Sequence, residues 1–304
     1  MDGNSLRVIV GPTAAGKSAL AMSLAESHRA TIVNADSRQI YRGFDIGTGK
    51  PTREERVRVR HDGVDVADPH ERWSAAHFGH AAGDWLADAA RDGRTPVVVG
   101  GTGFWVAALV RPLAPMPTLD GAARARIAVE LDALSHDELR ARCAELDPPV
   151  AKLGHAQWRR AIEVTLITGR RLSEWQQVGE TPARAVRYLL VDPGESLRAR
   201  IGVRIDAMLA GGWVDEVRSL ATNVASSAIA WKSCGYERLR AALANGDSIA
   251  SVRNEVEVET WQYARRQRTW FRRQLKYGPV TRLDPAAPDA IERARAWWNG
   301  KDDA

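Results

Sequence analysis

The octapeptide Gly11-Pro12-Thr13-Ala14-Ala15-Gly16-Lys17-Ser18 constrains this chain more than any other segment. It satisfies the pattern G-x-x-x-x-G-K-[ST], in which glycines let the backbone curl so that successive N–H groups face a phosphate. Its flanks supply the context the pattern needs. Leu6 to Val10 (LRVIV) is a short β-branched run that reads as a buried strand, and Lys17 to Ser27 carries Leu20 and Leu24 at helical spacing. The helix start adds positive potential, Lys17 adds a mobile charge, and the Ser18 hydroxyl is a candidate Mg²⁺ ligand.

Further strands follow in the same style. Thr31 to Ala35 (TIVNA) ends at Asp36, and a helix over Ala75 to Arg91 leads into Pro96 to Val99, which stops at Gly100-Gly101. Strands alternating with helices predict an α/β fold, a P-loop NTPase-like parallel sheet with flanking helices. Ligands bind beyond the carboxyl ends of such strands, where Gly11, Asp36 and Gly100 all fall. The pattern then changes. Pro112 to Pro117 (PLAPMP) is rich in breakers, and helical stretches run from Gly121 to Glu145 and from Gln157 to Ile167. Ala185 to Val191 (AVRYLLV) returns the chain to the sheet. Residues 116–184 therefore read as a helical insertion in a core formed by 1–115 and 185–304, whose last part includes a long helical segment from Ile249 to Lys276.

The position of the acids narrows the chemistry. P-loop NTPases use an Asp at the end of an apolar strand to help hold Mg²⁺. Here Val97-Val98-Val99 ends in Gly100-Gly101-Thr102-Gly103, and the acid at a strand end is Asp36. That arrangement suits group transfer to a bound acceptor better than a motor or a switch. In isolation Asp36 could equally cap a turn, and the glycines could be a flexible strand exit. Facing the P-loop, they would bring backbone and the Thr102 hydroxyl close to a substrate.

Charge points to the partner. The formal net charge is +5 and the pI is near 9.5. Trp261 to Lys276 (WQYARRQRTWFRRQLK) holds no acid; on a helix Arg265, Arg268 and Arg272 share a face, and Trp270 and Phe271 anchor another. A solvated helix balanced by Glu255, Glu257 and Glu259 would explain the charge alone. Arginines also recur in the insertion, at Arg124, Arg126, Arg140, Arg142, Arg159 and Arg160. Two basic regions flanking a cleft favour a polyanionic macromolecule. Cys143 and Cys234 have no metal-ligand spacing, no apolar run approaches the roughly 18 residues of a membrane span, and the first residues lack a signal-peptide pattern. A cytoplasmic protein without membrane association is expected.

In this order, GPTAAGKS, NADSRQIYRGFDIGTGKP, GGTGFW, WRRAIEV and YARRQRTWFRR resemble the tRNA dimethylallyltransferases, or tRNA isopentenyltransferases, of the compact bacterial type. The resemblance runs from about residue 6 to about residue 276. It implies transfer of a dimethylallyl group from dimethylallyl diphosphate to N6 of adenosine 37 in the tRNA anticodon stem-loop, by a monomeric enzyme using Mg²⁺. Gly11, Pro12 and Thr13 to Ser18 would hold the diphosphate. Asp36 would accept a proton from the adenine amine, with Thr102 beside it, and Ser37, Arg38 and Gln39 would line the tRNA contact. Arg124 and Gln157, Trp158, Arg159 and Arg160 would contact tRNA from the insertion. The chain departs from the family pattern at Gly49, His61, Trp105 and Gln157. An ATP-dependent small-molecule kinase would share the P-loop and Asp36 but leaves GGTGFW and the basic tract unexplained. A non-catalytic RNA-binding protein would not need Lys17, Ser18 and Asp36 intact.

Overall fold

A computed structural model describes residues 5–111, 117, 119–176 and 184–301. The connection Pro112 to Pro117 falls almost wholly outside the described residues. Two compact units are present, Met1–Val110 with Pro182–Ala304, and Arg111–Thr181.

The first unit is built on a six-stranded sheet, β1 (Leu6–Val10), β2 (Ala30–Asn34), β3 (Arg60–Asp62), β4 (Thr95–Gly100), β5 (Val186–Val191) and β6 (Val280–Leu283). The order is β3-β2-β4-β1-β5-β6 and every pairing is parallel. The central strands are largely buried on both faces, which is why they read as runs rich in Val, Ile and Leu. β3 (RHD) and β6 (VTRL) lack that signature because they sit at the sheet edges, where one side needs no apolar partner.

Helices α1 (Lys17–Ser27), α2 (Arg53–Arg58), α3 (Ala75–Arg91) and α4 (Gly103–Val110) precede the second unit. α3 starts at Ser74, whose hydroxyl accepts the His77 N–H, and buries Ala75, Phe78, Ala82, Leu86 and Ala89, a helical stripe. Phe78 stacks on Trp105 of α4, ring centroids 4.2 Å apart, so the Trp105 departure fills a packed site. After β5 come α9 (Leu197–Ala210), α10 (Trp213–Asn223), α11 (Tyr236–Asn245), α12 (Ile249–Gln274) and α13 (Ala290–Trp298). A core of Ile9, Leu20, Leu24, Val97, Leu189 and Trp297 joins the sheet to α1 and α13.

The second unit is helical: α5 (Gly121–Asp132), α6 (His136–Leu146), α7 (His155–Thr168) and the short α8 (Leu172–Trp175). The helical stretch expected from Gly121 to Glu145 is two helices. Ser135 and Glu138 form a capping box, which gives the chain a new helix start at that point. Leu131, Leu139, Cys143, Trp158, Ile162 and Leu172 make the core of this unit.

Candidate active site

β1 delivers the P-loop to the end of the sheet. Gly11 has φ 152°, and a Cβ there would lie 2.1 Å from the Val191 carbonyl oxygen, so only glycine fits between the P-loop and β5. Gly16 is the left-handed residue before α1, with no side-chain cap, which leaves the first N–H groups of α1 for a ligand. The loop is braced from below. Arg200 donates to the Ala14 carbonyl at 3.1 Å, and Lys17 Nζ donates to the Pro12 carbonyl at 2.7 Å.

β2 delivers Asp36, and the corner that follows is held by side chains. Asn34 accepts the Asp36 N–H at 3.1 Å and donates to the Gly63 carbonyl at 2.8 Å. Asp36 Oδ1 accepts the Arg38 N–H at 2.9 Å. Thr102 Oγ1 accepts the Ser37 N–H at 2.9 Å and lies 3.2 Å from Ser37 Oγ, while its N–H binds the Ala35 carbonyl. Tyr263 also hydrogen-bonds Thr102, and burial beside the Asp36 charge pushes the Tyr263 phenol up and keeps it protonated. Gln39 donates to the carbonyls of Thr48 and Gly49, fixing the segment that roofs the site.

P-loop and acceptor corner face one cavity of about 310 Å³. Its polar wall includes Thr13, Lys17, Ser18, Asp36 and Arg204; Met22, Ile32, Val64 and Val99 supply an apolar wall. Asp36, Thr13 and Arg204 also line a smaller recess with Arg38, Cys234 and Tyr263, so the carboxylate stands between two spaces. Desolvation pulls the Lys17 ammonium down to about 8, with Asp36 opposing the fall and Arg204 adding to it. Arg204 is lowered by the same desolvation and donates to the Thr48 carbonyl at 3.3 Å. Two enclosed cations thus share the cavity with an apolar wall. The Gly49 departure belongs here as well: at φ 63° it leaves the room that the Arg204 guanidinium occupies.

The family model described as IPP transferase matches residues 39–274, and one described as isopentenyl transferase matches residues 4–61. The chain belongs to the IPP transferase family. Among its relatives is a protein of Geobacter metallireducens named tRNA dimethylallyltransferase, 40% identical over 276 residues, which cover 88% of this chain and 89% of the relative. A solved tRNA isopentenylpyrophosphate transferase of Bacillus halodurans is 27% identical, with a TM-score of 0.69 over 98% of this chain and 96% of that one. A eukaryotic dimethylallyltransferase, described as acting on tRNA, shares the fold at a TM-score of 0.78 and 23% identity, over 99% of this chain and 81% of that one.

Within this IPP transferase, the residues fit an Mg²⁺ ion bound largely through its ligand. Among the described residues no cluster of three or more His, Cys, Asp or Glu could hold a metal. Ser18 offers an exposed hydroxyl at the cavity wall, and Asp36 a carboxylate. Mg²⁺ is commonly held by one or two such groups plus phosphate oxygens and water.

The basic tract is sorted by the fold. Arg268 is half-buried and clamps Asp192 through two hydrogen bonds of 2.8 and 2.6 Å, with a third to the Gly194 carbonyl. Arg272 is exposed, 3.6 Å from the same Asp192 carboxylate. Arg265, Arg266 and Arg273 instead line an open groove of about 550 Å³ with Thr269 and Trp270. In the second unit Trp158 is buried, so its ring anchors α7 and is not a surface contact. Gln157 is exposed, Arg124 and Arg160 flank the buried Glu163, and Arg159 pairs with Asp132 at 2.7 Å.

Sequence reasoning missed Arg204 and Gln267. Gln267 is buried in α12; it accepts the Thr13 N–H and donates to the Gly101 carbonyl, both at 2.8 Å. It ties the P-loop to the end of β4. The only available signal was a Gln amid the arginines of the YARRQR run. Arg204 sits in α9 with nothing local to mark it.

Proposed function

We propose that this chain transfers a dimethylallyl group from dimethylallyl diphosphate to N6 of adenosine 37 in the anticodon loop of tRNA. One observation carries the reading: Lys17, Ser18 and Arg204 share a part-apolar cavity with the Asp36 carboxylate. The cations and the α1 N-terminus hold a diphosphate, and the apolar wall accepts a five-carbon tail and keeps water from it. Mg²⁺, held by Ser18 and diphosphate oxygens, would neutralise part of the leaving-group charge when bound.

The exocyclic adenine amine is a weak nucleophile because its lone pair is delocalised into the ring. As the new C–N bond forms, an N6 proton passes to Asp36. The allylic C–O bond breaks, and diphosphate departs with the electron pair. Oδ1 of Asp36 already accepts the Arg38 N–H, which leaves Oδ2 for the proton. Lys17, Arg204 and the P-loop amides stabilise the negative charge on the leaving oxygens. The target base must leave its stack to arrive, which costs least in a single-stranded loop.

Phosphate contacts fall to the groove of Arg265, Arg266 and Arg273, with Arg272 beside it, while Arg268 positions the Asp192 turn. Arg124, Gln157, Arg159 and Arg160 supply further contacts from the second unit. The small-molecule kinase reading lacks support. β4 ends without an acid, and the matched relatives carry a prenyl-transfer name. No helix among the described residues is long and apolar enough to cross a membrane.

The decisive assay incubates the protein with dimethylallyl diphosphate, Mg²⁺ and unmodified tRNA, then digests the RNA for nucleoside mass analysis. Adenosine carrying one added C5H8 unit is expected. Phosphate transfer from ATP to a metabolite, with no prenylated nucleoside, would overturn the reading.

A further inference from the structure

Phe104 is the one exposed aromatic side chain among the described Phe, Tyr and Trp residues, at 56% exposure. Half of its helix is buried: Trp105, Val106, Leu109 and Val110 of α4 all face the core. The mount is rigid. The N–H groups of Trp105 and Val106 bind the Thr102 carbonyl, and the Thr102 N–H binds the Ala35 carbonyl, next to Asp36. Phe104 therefore stands two residues from the acceptor corner in a fixed position. Its other flank is basic. Gly103 lies flat against Trp270, whose ring would meet a Cβ there at 2.2 Å, and Trp270 lines the groove of Arg265, Arg266 and Arg273.

An exposed ring beside an acid-free cationic groove fits a partner that is both anionic and flat-faced, which is the chemistry of unpaired nucleic-acid bases. We propose that Phe104 is the stacking platform for the RNA base next to the target adenosine. Extruding a base leaves its neighbour without a stacking partner, and an inserted or abutting apolar side chain can replace the lost contact. Backbone phosphates then follow the arginine groove. The proposal rests on the RNA-directed function argued above. Protein docking on the same ring is the competing occupant, and it does not explain the adjoining cations.

The test compares Phe104→Ala, Phe104→Leu and Phe104→Trp with the wild type on an unmodified anticodon stem-loop. A second RNA carries 2-aminopurine beside the target adenosine. Phe104→Ala is expected to lower kcat/KM for RNA about 5- to 150-fold, the range for losing one base–aromatic stack. Phe104→Trp should restore it and Phe104→Leu should fall between. The KM for dimethylallyl diphosphate and the thermal midpoint should stay put, because the side chain packs against little. Binding should quench 2-aminopurine in the wild type but not in Phe104→Ala. Unchanged kcat/KM and unchanged quenching in Phe104→Ala would overturn the proposal, as would full rescue by Leu. A wild type that quenches but transfers nothing would support the stacking platform and sink the transferase reading instead, so the two failures are distinguishable.

Discussion

The P-loop after β1 and the acceptor corner after β2 border the same cavity, but they are held in place by different means. The P-loop's path is set locally by glycines at Gly11 and Gly16, and the helix start behind it supplies backbone ligand groups, with Arg200 and Gln267 bracing it from outside. The acceptor corner is assembled from distant pieces. Asn34, next to the corner, and Gly63, Thr102 and Tyr263, from three distant parts of the chain, fix the five residues from Ala35 to Gln39. Backbone donors suit a large, fully charged diphosphate, for which an array of N–H groups matters more than any one atom. Removing one proton from a weak nucleophile needs a single oxygen in a fixed place, and interlocking side chains provide it.

The largest expected effect separates the two regions outright. Asp36→Asn keeps the acceptor for the Arg38 N–H, because the amide oxygen can replace Oδ1, but removes the base. It should lower kcat by on the order of 10²- to 10⁴-fold, with the KM for dimethylallyl diphosphate little changed. Single-turnover transfer alongside equilibrium donor binding measures both. An unaltered kcat would mean that the corner only positions the adenosine.

Gln267 is the point at which the two regions depend on each other. Its side chain spans from the Thr13 N–H to the Gly101 carbonyl inside the protein. Gln267→Ala strands the buried Gly101 carbonyl, at a cost of about 1–3 kcal/mol, and leaves the part-buried Thr13 N–H to the cavity. For the carbonyl alone, that translates to a fall of roughly 2–12 °C in the thermal midpoint, at about 2–4 °C per kcal/mol. Donor and RNA KM values should both rise, in contrast to Asp36→Asn. A rise in only one would show that Gln267 supports a single region.

The same contrast governs what the sequence makes legible. The P-loop is visible because its physics is written within eight adjacent residues, and the strand TIVNA announces where Asp36 must fall. Arg204 and Gln267 are invisible because their value comes from partners more than 150 residues away, Thr48 for one and Gly101 for the other. The basic tract lies between these cases. Its helix and its charge are plain, but Asp192, 76 residues upstream of Arg268, decides which arginine is committed internally. β3 and β6 escaped because short polar edge strands lack the apolar run that marks the central ones.

The smallest expected effect probes the P-loop side alone and comes from Lys17. Desolvation holds its ammonium at about 8 in the free protein, far below an ordinary lysine. A diphosphate beside it favours the charged form, so the bound value is higher than the free one. Below pH 8 the ammonium is already present and binding needs no extra proton. The last phosphate ionisation lies near pH 6, so donor affinity should be level between about pH 7 and 8. Above pH 8 the free lysine is mostly neutral and must take up a proton to bind, so affinity should fall by up to about tenfold per unit. Isothermal titration of dimethylallyl diphosphate in two buffers of different ionisation heat reads both the slope and the proton uptake. Lys17→Met should weaken binding at pH 7 and abolish the decline above pH 8, while the proton acceptance assigned to Asp36 is untouched. A decline that persists in Lys17→Met would place the titrating group elsewhere in the cavity and remove Lys17 as the P-loop's pH-dependent cation.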